Sequence, residues 1–370
     1  MKQHHNYGQI IEELHILRNN AISLGCTISE IQQHPNPGQI TGLLNEIRNC
    51  LIENGQEVGP LKEHPSIYQI REILPIATVA METAIEESEE YVGPLDLVSG
   101  SIVAYGHRAL SAAKRGSALY TIRRDSDDTT QAFSSDAVTG VADATAISTF
   151  IGGGNDGFVS IWNDQSGNDK HATQATTAKQ PIWTPTGPNG SNPSLIFTGG
   201  SPCFVQSASV TLANSAYTVF AVVKVPTAGS EICGFGSEGA DEQFIVGAFG
   251  DTAAERLFVL ATEDNWNETS IGGEIASAPE QNTFCVLEFA WQLGTTSIKQ
   301  DGVELYTDDT YDSGSVGSIS GAMCIGQATS TAGAGWGADI VELLVYDTLL
   351  SSDNKTLLRE NLAVFYGITI

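Results

Sequence analysis

AYGHRALS (104–111), GSALYTIRRDSDDTTQAF (116–133), GVADATAISTFI (140–151) and VSIWNDQSGNDKHATQA (159–175) make up the stretch around Tyr105–Gln174 whose reading decides the fold. Apolar runs at Ala118 to Arg123 and Phe158 to Trp162 read as short strands, and the Gly, Asn, Asp and Ser between such runs supply turns. Asp125, Asp127 and Asp128 adjoin Arg123 and Arg124, which predicts mutual charge pairing. Asp164, Ser166, Asn168 and Asp169 carry short polar side chains that hydrogen-bond nearby backbone, which predicts a tight loop between strands. Asp164 and Asp169 also offer oxygen ligands of the kind calcium takes, but their spacing is not that of an EF-hand loop, so no cofactor is expected.

The same texture continues toward the C-terminus. Strands are predicted at Tyr217 to Val225, Arg256 to Thr262, Phe284 to Gln292, Thr296 to Gln300, Gly302 to Tyr306 and Ile340 to Tyr346. Asp301-Gly302 marks a hairpin, because this pair adopts the positive φ angles of a tight turn. Ser351 or Ser352 is positioned to cap a helix carrying Leu357, Leu358, Leu362 and Phe365. Many strands with short polar connections predict a mainly β fold of two packed antiparallel sheets.

Upstream the composition changes. The first 95 residues hold thirteen glutamates and no aspartate or tryptophan, whereas all five tryptophans follow. Glutamate suits helices and aspartate suits turns, so a helical region 1–95 is expected before a β domain 96–370. A repeat of about thirty residues aligns Gly8-Gln9-Ile10, Gly38-Gln39-Ile40 and Tyr68-Gln69-Ile70. It keeps Leu14, Leu44 and Leu74 in register, as it does His4, His34 and His64. Such units bury their apolar faces by stacking on one another or on other chains, so a homo-oligomer, with a trimer favoured, is expected through residues 1–95. The five histidines here (His4, His5, His15, His34 and His64) show no HxxxH pair and read as turn residues.

A net charge of -27 excludes nucleic acid and anionic membranes as partners. The start lacks the pattern of a secretory signal and no run is long enough to cross a bilayer, so synthesis in a cytoplasm is the expectation. Six well-spaced cysteines (Cys26, Cys50, Cys203, Cys233, Cys285 and Cys324) read mostly as buried thiols. Phosphate-loop, GxSxG and HExxH signatures are missing.

The opening stretch resembles the start of the arabinofuranosidase catalytic domain of glycoside hydrolase family 54, and also laminin-G-like lectin modules found on phage virion proteins. The ending GADIVELLVYDTLLSSDNKTLLRENLAVFYGI (337–368) is similar to the closing strand and helix of concanavalin A-like lectin modules. The resemblance implies a concanavalin A-like jelly roll over Val98 to Ile370. It places a nucleophilic glutamate at Glu263 in LATEDNWNE, with Asp264, Asn265 and Trp266 as sugar-binding candidates. It places the acid/base aspartate in CIGQATSTAGAGWGAD, where Gln327, Ala328 and Thr329 stand instead and Asp339 follows only in the next strand. The family's vicinal cysteine pair is reduced to Cys233. Without a leaving-group acid, hydrolysis slows by orders of magnitude. The expectation is therefore a non-catalytic virion component, a head fibre, capsid decoration or tail fibre. Its helical region would bind other virion proteins and its lectin-like domain would face surface glycans. The alternatives are an active arabinofuranosidase-like hydrolase using Glu263, or a free-standing carbohydrate-binding protein.

Overall fold

The computed structural model describes residues 7–23, 26–31, 37–53, 91–198, 205–212, 216–224, 230–235, 243–251, 254–262, 282–292, 295–308, 319–326 and 338–370. The chain divides into two compact units, Met1–Glu90 and Tyr91–Ile370.

In the smaller unit, α1 (Tyr7–Ser23) and α2 (Pro37–Glu53) bury one face each. Leu14, Leu17 and Ala21 of α1 pack with Ile40, Leu43, Leu44, Ile47 and Cys50 of α2, at the three- and four-residue spacing that keeps side chains on one helix face. Leu14 and Leu17 are buried, and so are the residues thirty positions later, Leu44 and Ile47. Ile28, between the helices, closes this core, and Glu46 accepts hydrogen bonds from both the amide and the hydroxyl of Ser29 at 2.7 Å. His15 is exposed, while His4, His5, His34, His64 and the third repeat unit lie outside the described residues.

The sulfur chemistry departs from the expectation of thiols. Cys26 and Cys50 form a disulfide with Cα atoms 5.9 Å apart, whereas Cys285 and Cys324 are buried free thiols. The spacing of Cys26 and Cys50 carries no signature, because the α1–α2 hairpin rather than sequence proximity brings them together.

The larger unit is mainly β. Its first strands are β1 (Ser101–Gly106), β2 (Ala118–Arg124), β3 (Thr130–Ser134), β4 (Gly157–Trp162), β5 (Ala172–Thr173), β6 (Ile182–Thr184) and β7 (Ser194–Phe197). Next come β8 (Val205–Ser207), β9 (Val210–Leu212), β10 (Ala216–Lys224), β11 (Ser230–Phe235), β12 (Gln243–Asp251) and β13 (Ala254–Thr262). The last are β14 (Phe284–Gln292), β15 (Thr295–Gln300), β16 (Val303–Asp308), β17 (Ile319–Gly321), β18 (Met323–Ile325) and β19 (Ala338–Tyr346). Helices are few: the single turn α3 (Pro94–Leu97), the short α4 (Ala144–Ile151) and the terminal α5 (Ser352–Tyr366).

Every described pairing is antiparallel. One run of strands reads β1-β19-β10-β14-β15-β16. A second reads β3-β2-β4-β5-β8-β18-β11-β12-β13, and β6 with β7 links β4 to β19. The main core draws on both runs, with Val219, Leu287, Phe289 and Val345 from the first and Ile122, Trp162, Val205 and Ile325 from the second. On the outer side of the first run, Phe220, Val222, Leu344 and Tyr346 pack against Leu358, Leu362 and Tyr366 of α5. Ser351 caps that helix by accepting from the Asn354 amide, and Gly367 ends it in the left-handed region. Asp301 (φ 50) and Gly302 (φ 82) form the tight β15–β16 turn that their sequence predicts.

Because the disulfide closes a separation of 24 residues, it stabilises α1–α2 by about 3 kcal/mol on the chain-entropy model. Cys50→Ala is expected to speed amide hydrogen exchange across α1 and α2 by about a hundredfold. Amides in β10, β14 and β19 stay unchanged, which makes the comparison internal to one sample.

Candidate functional site

The motif at 104–111 is the hinge of a dense polar network. Successive side chains of an extended segment point to opposite faces, so His107 enters the main core while Arg108 turns toward α5. Arg108 forms a buried ion pair with Glu342 of β19 (Nε to Oε2, 3.0 Å), donates to Asn361 Oδ1 at 2.8 Å, and lies 4.0 Å over the Phe365 ring. The Tyr366 hydroxyl donates to the same Glu342 oxygen at 2.6 Å. Burial and the Glu342 charge hold the Tyr366 phenol far above its ordinary pKa. Sequence reasoning missed Glu342, although a carboxylate inside the apolar run DIVELLVY is itself a signal that a buried partner exists. A second buried carboxylate, Glu288 of β14, meets Arg359 at 2.8 Å and Lys355 at 3.3 Å under α5.

His107 is fully enclosed, stacked on Trp162 (centroids 5.6 Å apart) and tilted against Tyr120. Neither ring nitrogen makes a hydrogen bond of normal geometry. Desolvation pushes its pKa down to about 3, and the Ile340 backbone offsets only part of that.

The loop after β4 is locked to the same motif. Asp164 is buried and accepts four hydrogen bonds: from the amides of Ala104 (2.8 Å), Ser166 (3.0 Å) and Lys170 (3.0 Å), and from the Ser166 hydroxyl (2.7 Å). Gln165 clamps the motif from below, accepting from the Leu110 amide and donating to the Arg108 carbonyl. Asp169 stands exposed at φ 54 and takes no part in these bonds. Asp164 is thus occupied by protein donors, and among the described residues no group of three side chains of metal-ligating type comes together. The acidic pairs form as their spacing predicts, Arg123 with Asp128 at 2.7 Å and Arg124 with Asp127 at 2.6 Å.

Glu263, Asp264, Asn265 and Trp266 lie outside the described residues, as do Gln327, Ala328 and Thr329. The strands that deliver them are described. Ile325, Cys233, Val246 and Val259 form one row across β18, β11, β12 and β13. Because neighbours run antiparallel, β18 and β13 point in opposite directions: Thr262 ends β13 beyond the Met323 side, while Gly326 leaves on the other. Thr262, the residue before Glu263, pairs with Gln243, the residue after Glu242. Asp339, the next aspartate along the chain, is spent on an ion pair with Lys224.

Comparisons agree with this architecture. The family model for the catalytic domain of α-L-arabinofuranosidase B matches residues 100–225. A glutamate-to-glutamine mutant of a GH54 α-L-arabinofuranosidase, soaked with 4-nitrophenyl α-L-arabinofuranoside, superposes with TM-score 0.57 at 21% identity, covering 73% of this chain and 64% of that one. An arabinofuranosidase complexed with arabinofuranosyl-α-1,2-xylobiose gives 0.56 at 20% identity with the same coverage, 73% and 64%. The chain therefore spans a little under two thirds of the length of these structures. A search of curated proteins finds no match. The fold is arabinofuranosidase-like. The expectation of a non-catalytic virion, capsid-decoration or fibre protein is corrected here, because the family model and these structures favour the glycoside hydrolase alternative.

His107 gives a pH test of the enclosed motif. A histidine whose folded pKa (about 3) lies below its unfolded value near 6.5 contributes stability that is full above pH 6.5 and is lost as pH falls toward 3. From pH 7.5 to pH 5 the loss from this residue is roughly 2 kcal/mol. Unfolding free energies of the wild type from urea titrations are expected to drop over this range by that much more than those of His107→Phe, which keeps the aromatic stack and cannot protonate.

Proposed function

We propose that this chain is a glycoside hydrolase that removes α-L-arabinofuranosyl groups, with Glu263 as nucleophile. The observation that carries this is the family-model match over residues 100–225, which spans β1 to β10 and contains Arg108 and the loop around Asp164. Retaining hydrolysis needs a second carboxyl group about 5 Å from the first. The β12–β13 pairing supports Glu242 in that role: in sequence Glu242 precedes Gln243 and Glu263 follows Thr262, and Gln243 and Thr262 are partners in one rung. Trp266, Asp264 and Asn265 follow Glu263 closely in sequence and are assigned to hold the sugar.

The finer architecture belongs to the same reading. The two strand runs are taken as the two sheets of a jelly roll over residues 96–370, and α1 and α2 as units of a helical repeat over 1–95. The Cys26–Cys50 disulfide supports an oxidising setting.

The test is release of 4-nitrophenol from 4-nitrophenyl α-L-arabinofuranoside. Glu263→Gln is expected to lower kcat by about a thousandfold or more. Glu242→Gln should spare kcat/KM for the nitrophenyl substrate, whose leaving group needs little protonation, while kcat falls because the same residue is the base for the water that frees the enzyme-bound sugar. It should slow release of arabinose from an arabinosylated xylo-oligosaccharide by about a hundredfold. Turnover that survives Glu263→Gln overturns the assignment.

For residues 1–95 the proposal is self-association, supported by Ile16, Ile22 and Ile52, which stay exposed on α1 and α2. Light scattering of the full chain is expected to report an oligomer that Ile16→Lys with Ile52→Lys dissociates, and a monomeric wild type refutes this.

A further inference from the structure

A cavity of about 470 Å³ opens beside the C-terminal end of α5, between the start of β14, the β15–β16 turn and the segment at Pro188–Asn189. Its size falls in the range of small-molecule sites. It shares no lining residue with the β12–β13 hairpin, so it is separate from the place assigned to hydrolysis.

The lining has a distinct chemistry. Asn189, Asn282, Asp301 and Thr369 present two amides, a carboxylate and a hydroxyl, with the half-buried Phe284 ring among them. No lysine or arginine lines the cavity, which disfavours phosphate and other anions. A lone carboxylate makes a poor site for a divalent cation, which takes several oxygen ligands. Amides both donate and accept, a carboxylate oxygen that already takes one hydrogen bond keeps a second lone pair for a hydroxyl, and an aromatic ring packs on the C–H face of a sugar. Neutral polyols satisfy that set of partners.

The polar groups are also held in place. Asn189 (φ 57), Asn282 (φ 57) and Asp301 (φ 50) are three of the five non-glycine residues with positive φ among the described residues, and all three line this one cavity. The Asp301 amide donates to the Val286 carbonyl at 2.9 Å, and its Oδ1 accepts from the Val286 amide at 2.7 Å. The Asn189 side chain lies against the Cα of Gly367, where a Cβ would come within 2.1 Å of Nδ2. Gly367 therefore makes room for that amide as well as ending α5. The Asp301 carboxylate, held by Val286, and the Asn189 amide, seated on Gly367, lose little freedom when a ligand arrives.

We propose that this cavity is a second carbohydrate site, binding a neutral mono- to trisaccharide away from the hydrolytic hairpin and holding the protein on a glycan chain. The proposal does not depend on Glu263 acting as nucleophile.

The test uses the full chain carrying Glu263→Gln, titrated with arabinotriose and with xylotriose by calorimetry and by saturation-transfer NMR. At least one trisaccharide is expected to bind saturably in the millimolar range. Asn282→Gly, which keeps the positive φ and deletes the amide, and Thr369→Val are each expected to weaken that binding about tenfold. Unchanged thermal midpoints verify that both variants fold. No saturable binding of either sugar, or binding that both variants leave intact, overturns the proposal. Failure of nitrophenol release in the Glu263-intact protein bears on hydrolysis alone and leaves these outcomes unchanged.

Discussion

The ion pair between Arg108 and Glu342 ties together segments 234 residues apart in sequence, joining the opening motif to the closing strand beneath the terminal helix. Both side chains are almost wholly enclosed, at 2% and 1% exposure. Replacing such a pair with apolar residues often costs little, but stranding one charge in the interior costs roughly 3–5 kcal/mol. Each partner therefore requires the other, and Glu342 also requires Tyr366. The Glu342 charge opposes the effect of burial on Arg108 and holds its pKa above the ordinary value, so the guanidinium remains charged. The opening motif, the closing strand and the terminal helix must meet in one register for any of the three groups to be satisfied.

The register carries a visible adjustment. Between β10 and β19 it shifts at Val222/Val223, opposite Glu342 and Ile340, with Val341 as the extra residue. Ile340 and Leu343 both reach the main core, while Val341 packs on the α5 side, where Glu342 meets Arg108. A regular strand alternates and would send Val341 and Glu342 to opposite faces. The bulge puts the apolar residue and the carboxylate on the same side. It is the local deformation that lets β19 be buried on both faces and still deliver a charge.

Features governed by local chemistry were legible in the sequence. Asp301-Gly302 names its turn, the Ser351-Ser352 pair contains its cap, and the apolar run Phe284 to Gln292 names its strand, because each depends on a few neighbouring residues. The buried charges, the bulge and the disulfide were not legible, since each is fixed by contacts between distant segments. Cys26 and Cys50 carry no motif, and only the packing of α1 on α2 makes them adjacent. Glu342 stood in plain view as a lone charge in an apolar run, but its partner was 234 residues away.

The place of a leaving-group acid depends on contacts of the same long-range kind. Along the chain, the place after β18 holds Gln327, Ala328 and Thr329, none of them an acid. Strand order changes what counts as nearby. The row Ile325, Cys233, Val246 and Val259 shows β18 running against β13, so Gly326 and Thr262 end at opposite sides of the ladder. On the Thr262 side the paired residue is Gln243, and the chain to its N-terminal side is GSEGADE (236–242), rich in carboxylates. An acid missing from one linear position is weak evidence against catalysis when carboxylates stand next in sequence to a paired strand end. Pairing register, which no motif records, decides whether two carboxylates work as a pair.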